Sequence, residues 1–398
     1  MLKIDKKLVK AILCSWFVFF AAMFSPLIEP NYENVGIAYC LYFFCSYLIF
    51  YIILFLVDMP ADSKRHDGGV LIFFQLFIFF LLLTFLFRVL DRFYFRPVDN
   101  YFSIESYREA RKAGTNIFSF LGSFLLPFFF VSMDAYLQRA KSIVGAKIKI
   151  VPMIMVVLIF CDLLASGSRG VVLVALVMLL GRYFSFKKFL FVLPVLVLLS
   201  GLLFVFRFIS LAGREVDVQS MLVSVSSLGY AFFVPYSDWI DTLADEGNAL
   251  LVIFPFLQAN QYLAHGFFEF SYMFDSFNGW FSDVVIVLPH FAKFLDQTQE
   301  VIRPGMYYTM AGTAYNAFGY FSIAFMMFLG GVYGVVLKSA RFLGMGSTLV
   351  VLLSIFLLPF VNSFGGFDFY LYFVAILVLR AVAGLSSNGF RASRQEEL

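Results

Sequence analysis

Charge is scarce in this sequence, and so are cysteine and histidine. Only 14% of its 398 residues are charged while 62% are hydrophobic, roughly half the usual charge and well above the usual apolar share of a soluble domain. That balance excludes a soluble globular protein and points to an integral membrane one. The four cysteines, Cys14, Cys40, Cys45 and Cys161, lie in apolar runs without metal-ligand spacing, so neither a disulfide framework nor a metal site is expected. The three histidines are His66, His265 and His290, which leaves few groups suited to proton transfer near neutral pH. GxSxG, HExxH and P-loop patterns are missing, so hydrolase elbows, zincins and nucleotide hydrolysis lack support. No cofactor is implied. Without internal repeats, low-complexity linkers or a second soluble domain, residues 1–398 read as a single membrane domain.

What is present is a series of long apolar runs close to the length that crosses about 30 Å of hydrocarbon as a helix, with none of the alternating segments of a membrane β-barrel. The expected fold is an all-α polytopic bundle of about ten transmembrane helices, near 8–28, 35–57, 70–90, 115–137, 148–165, 170–186, 189–209, 311–337, 347–363 and 367–384. Lys3, Lys6, Lys7 and Lys10 precede the first run without a cleavage site after it, which predicts an uncleaved start with the N-terminus inside. Alternation then puts both termini in the cytoplasm and 18 of the 29 basic residues on the inner side.

The basic residues left outside are selectively arginine: Arg88, Arg92, Arg96, Arg108, Arg111, Arg169, Arg207, Arg214 and Arg303, beside only Lys112 and Lys293. A guanidinium fork matches two phosphate oxygens where lysine offers a hydrated point charge, so the bias suggests a phosphate-bearing ligand on that side. The plainer reading of the first large periplasmic loop, 88–114, is a solvated amphipathic helix whose arginines pair with Asp91, Glu105 and Glu109. A second loop, 210–310, separates spans seven and eight and carries three basic against eleven acidic residues, which excludes nucleic acid as a partner. Its Trp239, Trp280 and many other aromatics predict a folded periplasmic cap rather than a disordered linker. Inside it, 249–274 is apolar but broken by Pro255, Gln258, Asn260, Gln261, His265 and Glu269, as suits a helix lying at the interface or re-entering part way. An additional pair of spans there, making twelve, leaves the topology unchanged.

Chemistry concentrates at a few residues. Ser166-Gly167-Ser168-Arg169-Gly170 forms a polar turn between two spans, where small residues, a hydroxyl and the N–H groups of a helix start favour a pyrophosphate. Arg169 either serves that seat or snorkels to headgroups or pairs with Asp162. Arg303 stands before span eight, and Arg207 and Arg214 follow span seven. Arginines converging on one outer mouth can hold a diphosphate leaving group without metal. His265, in Gln261-Tyr262-Leu263-Ala264-His265-Gly266, is the best general-base candidate, with His290 a weaker competitor.

Ser166 to Gly170 before a span, the long cap with Tyr262-Leu263-Ala264-His265-Gly266, and Ala311 to Tyr333 with Gly312, Gly319, Gly330 and Gly331 together resemble the oligosaccharide repeat-unit polymerases of bacterial envelopes, most closely the O-antigen polymerase, or Wzy-type, family. The resemblance implies a GT-C-like fold in the inner membrane, with a periplasmic site that transfers a growing glycan from undecaprenyl diphosphate to an incoming lipid-linked repeat unit. It also implies a chain-length regulator as partner. On that reading His265 deprotonates the attacking sugar hydroxyl. Arg169, Arg303, Arg214 and Ser168 bind the diphosphate, and Tyr262, Trp239 and Trp280 stack on sugar rings, unless these aromatics only anchor the chain in the membrane. Two rivals remain: an O-antigen ligase, which passes the same donor to lipid A core, and a lipid-linked oligosaccharide flippase. A flippase is expected to bury charge along its spans and to show related halves.

Overall fold

The computed structural model describes residues 5–33, 35–58, 70–96, 116–140, 150–165, 169–180, 233–240, 242, 249–276, 308–363 and 369–396. Those residues are almost entirely helical: α1 (Lys6–Met23), α2 (Ile37–Val57), α3 (Val70–Leu90), α4 (Ile117–Ala140), α5 (Ile150–Ala165), α6 (Arg169–Leu180), α7 (Ala249–Ser276), α8 (Met310–Phe318), α9 (Ser322–Leu343), α10 (Met345–Leu357) and α11 (Phe369–Glu396). Among the described residues four helical stretches, Ile37–Val57, Val70–Phe95, Ile117–Ala140 and Met310–Leu343, are long and apolar enough to cross a membrane, and Ile154–Leu163, Met345–Leu357 and Phe369–Gly384 are shorter apolar helices. The protein is a helical membrane protein. The expected span 189–209 lies outside the described residues.

Burial follows helical periodicity with apolar residues on both faces, as a bilayer requires. On α3 the buried set is Phe73, Phe77, Leu81 and Thr84, spaced by three or four residues, while Leu71, Phe79, Leu82 and Leu86 are exposed. A soluble helix facing water would not carry that second row.

The chain divides into two compact units, the first comprising residues 1–59, 186–334 and 352–366, the second 60–185, 335–351 and 367–398. In the first, α1 and α2 join α7 through a web of rings: Phe19 stacks on Phe43 at 5.7 Å, Phe43 meets Phe267 edge-on at 5.0 Å, and Tyr39 meets Phe270 at 5.1 Å. Tyr39 also donates its hydroxyl to the Phe267 carbonyl at 2.5 Å. The α1–α2 connection is strapped to residues 233–240 by a bridge between Ile28 and Tyr236, with Glu29 N–H on the Pro235 carbonyl and Asn31 N–H on the Phe233 carbonyl, each at 2.9 Å.

The expected span 311–337 is present, but as two helices. Gly319 ends α8 at φ 55°, a conformation in which a side chain is strained, and a 3₁₀ turn, Gly319–Phe321, leads into α9.

In the second unit α3 and α4 share the largest packed face, with Phe77 stacked on Tyr136 at 6.0 Å. The α9–α10 junction is clamped from α4. Arg139 donates to the Leu343 and Phe342 carbonyls at 3.2 and 3.4 Å, closing the end of α9. Asp134 closes the start of α10, accepting from Gly346 N–H at 3.2 Å, Ser347 N–H at 2.7 Å and Ser347 Oγ at 2.8 Å. At 4% exposure, the Asp134 carboxylate plays from a neighbouring helix the part an N-cap side chain usually plays locally.

Candidate functional site

α7 covers the stretch read as an interfacial or re-entrant helix and runs two residues further. Its middle is buried: Leu257, Gln261 and every residue from Ala264 to Ser271. Gln261, His265 and Glu269 are 1%, 1% and 3% exposed, and their spacing of four puts them on one face. A buried polar stripe along an otherwise apolar helix is costly unless satisfied and used.

Two members, Gln261 and His265, have identified hydrogen bonds, and His265 Nε2 is buried. Gln261 Nε2 donates to the Val234 carbonyl at 2.9 Å, and Asn260 reaches Ser25 Oγ, so this part of α7 holds the strap of residues 25–31 and 233–237. His265 Nδ1 sits 2.7 Å from the Tyr262 carbonyl. A carbonyl only accepts, so the ring proton is on Nδ1 and Nε2 is the basic nitrogen. Tyr32 packs edge-on against Phe268 at 5.3 Å.

The floor under α7 at Gly266, the residue after His265, is made by the N-cap of α8 and the turn after α10, where Thr309 and the Phe360 carbonyl face it. Met310 N–H donates to the Leu358 carbonyl at 3.3 Å, Ala311 N–H to Tyr47 Oη at 3.3 Å, Gly312 N–H to Thr309 Oγ1 at 3.1 Å and Thr313 N–H to the Thr309 carbonyl at 2.9 Å. Three of the orphan donors at the start of α8, on Met310, Ala311 and Gly312, are therefore spent within the protein. Those three N–H groups are not free to hold an anion. Asn362 N–H on the Tyr308 carbonyl at 2.7 Å, and Tyr47 Oη on the Leu358 carbonyl at 2.7 Å, complete the floor.

Of the sequence-predicted residues, the structure brings His265 and Tyr262 together, their ring centroids 5.6 Å apart. Trp239, 41% exposed, donates its indole N–H to the Pro26 carbonyl at 2.8 Å, so it also fastens the strap. Trp239→Phe keeps an aromatic ring and removes that bond. It is expected to lower stability by about 1 kcal/mol in detergent unfolding. Arg169 begins α6 in the second unit, with its side chain outside the described residues. Ser168, Arg207, Arg214, Trp280, His290 and Arg303 also lie outside them.

The arginines of 88–114 that are described are not solvated. α3 continues through a π-helical turn, Asp91–Phe95. Arg96 pairs with Asp91, as the sequence suggests, with Nε to Oδ1 at 2.8 Å. Arg88 and Arg92 both reach Asp162, the carboxylate that the sequence offers to Arg169. In the sequence, Gln261 and Glu269 stand out only as interruptions of an apolar stretch; their four-residue register with His265 is the signal that links them. Asp134, a lone acid within an expected span, carries no such local signal. Among the described residues no three of His, Cys, Asp and Glu converge. Comparison of the chain with protein-family models, with curated proteins and with solved structures finds no match in any of the three.

Proposed function

We propose that this protein is a membrane glycosyltransferase that polymerises undecaprenyl-diphosphate-linked oligosaccharide repeat units, with α7 carrying its general base. The carrying observation is the buried polar stripe Gln261, His265 and Glu269, in which the Tyr262 carbonyl leaves His265 Nε2 as the basic nitrogen. In the reaction, the acceptor sugar hydroxyl gives its proton to His265 Nε2 as its oxygen bonds to the donor's anomeric carbon. The bond from that carbon to the diphosphate breaks, and undecaprenyl diphosphate leaves with the electron pair. Arg169, Arg303 and Arg214, with Ser168, are assigned to the leaving charge, and Tyr262, Trp239 and Trp280 to the sugars. A GT-C-like bundle of about ten spans in the bacterial inner membrane, with both termini cytoplasmic and the site periplasmic, goes with this reading. The pairing of residues 27–31 with 233–237 supports it, because the α1–α2 connection and the cap are both expected on the periplasmic side. The partners are the lipid-linked donor and acceptor, membrane lipid and a chain-length regulator.

The test is genetic. In a strain lacking the gene, lipopolysaccharide is expected to carry a single repeat unit on its core, with the long-chain ladder restored by wild type and not by His265→Ala or Arg169→Ala at equal protein level. A core without any repeat unit in the deletion strain points instead to the ligase or flippase. An unchanged ladder, or full restoration by both variants, overturns the assignment.

A further inference from the structure

At the C-terminal end of α3 two guanidiniums share one carboxylate. Arg88 and Arg92, one turn apart, both bind Asp162 of α5: Arg88 through NH1 to Oδ2, and Arg92 through Nε to Oδ1 at 3.1 Å. The side chains of Arg88, Arg92 and Asp162 retain only 15%, 12% and 14% exposure. Beside them Asp91 accepts from Arg96 Nε at 2.8 Å and Asn116 Nδ2 at 2.7 Å, and stands 3.6 Å from Arg92 NH1. Arg96 also reaches Ser119. Arg88, Arg92 and Arg96 thus gather around Asp162 and Asp91 in a nearly buried place. The Arg88 Nε–H, moreover, is buried with no hydrogen-bond partner among the described residues. A buried donor left unmade is expensive, the more so on a charged group, and a single anionic oxygen acceptor relieves that cost.

Depth indicates which anion. From Val70 to Arg88 the helix rises about 27 Å at 1.5 Å per residue, close to the thickness of the hydrocarbon layer. Leu82 and Leu86 below the arginines are exposed, as lipid-facing residues are, and Phe93, Tyr94 and Phe95 just beyond are exposed at 62%, 75% and 51%. Such an aromatic belt marks the headgroup level. We propose that Arg88, oriented by Asp162 and backed by the charge of Arg92, forms a binding site for the phosphate of a lipid headgroup. Asp162 occupies one arm of the Arg88 fork and is itself shared with Arg92, so Arg88 keeps its Nε–H donor and only part of its charge is offset, which favours a phosphate oxygen.

The test is lipid retention by the purified full chain, read by native mass spectrometry with phosphatidylglycerol, undecaprenyl diphosphate and uncharged diacylglycerol as probes. Wild type is expected to retain a phosphate-bearing lipid over diacylglycerol. Arg88→Gln should weaken that retention about tenfold, the worth of one charge-assisted bond, whereas Asp162→Asn should keep or tighten it because it removes the competing anion. Arg88→Lys, which keeps the charge if the glutamine variant folds poorly, should also weaken it for want of the fork. Tighter retention of phosphatidylglycerol identifies a bilayer phospholipid as the occupant, and tighter retention of undecaprenyl diphosphate a polyprenyl carrier. Equal retention of all three lipids overturns the proposal. So does a parallel loss in Arg88→Gln and Asp162→Asn, as a merely structural ion pair would give. Retention is read without any glycan assay, so a negative result leaves the polymerase reading untouched.

Discussion

Asp134→Ala is expected to lower the stability of the purified protein by about 3–5 kcal/mol, because it orphans three donors at once in a buried place. The donors are Gly346 N–H, Ser347 N–H and Ser347 Oγ at the start of α10. Water cannot readily replace a carboxylate that is 4% exposed, and the positive end of the α10 dipole loses its counter-charge at the same time. Asp134→Asn keeps one carbonyl acceptor and should cost less than half as much. Thermal or denaturant unfolding in detergent measures both. A change within about 1 kcal/mol for the alanine variant would show that the α10 start finds other acceptors.

Gly266→Ala should be nearly as damaging and should also reach the candidate site. A Cβ at this position would lie 2.5 Å from the Phe360 carbonyl oxygen and 3.3 Å from Thr309 Cγ2. Both belong to the floor under Gly266, and a backbone carbonyl cannot swing aside as a long side chain can. α7 must therefore move off the floor, at about 2–3 kcal/mol. On an unobstructed helical site the same change stabilises by about 1 kcal/mol. Gly384, where an added Cβ would meet nothing within 4 Å, supplies that comparison. The sign of the effect should thus reverse between the two glycines in unfolding measurements. If the polymerase reading holds, Gly266→Ala should also shorten the glycan, since it displaces His265. Equal stability of Gly266→Ala and Gly384→Ala would mean that the contact relaxes without cost.

Most helices are legible in the sequence because apolar periodicity and length suffice to place them. α2 and α3 fall at 37–57 and 70–90, against expected spans of 35–57 and 70–90. What the sequence does not disclose is which polar group meets which, because partner choice is made by tertiary packing. Asp162 has a nearby arginine in sequence, Arg169, yet it binds Arg88 and Arg92, which lie 74 and 70 residues away. Asp134 lies 212 and 213 residues from Gly346 and Ser347, and no local pattern joins them. The break after α8 is hidden for a different reason: Gly319 sits in an apolar run whose hydropathy does not change, and only its positive φ reveals the turn. For the candidate site, His265 as a base candidate is legible in the sequence, whereas its burial is not, because an apolar stretch with polar interruptions reads as an interfacial or re-entrant helix and only packing encloses it. The arginines proposed for the diphosphate rest on the sequence alone.

The ring web between α1, α2 and α7 bears on what phenylalanine means in this protein. Acyl chains are as oily as any aliphatic side chain, so greasiness alone gives two helices no reason to prefer each other over the surrounding fluid. Shape and quadrupole are a different matter, and the edge-on meetings of Phe43 with Phe267 and of Tyr39 with Phe270 are contacts that a disordered hydrocarbon tail does not reproduce. The abundant aromatics thus act as addresses, telling each helix which neighbour to choose in a solvent that would otherwise treat all of them alike.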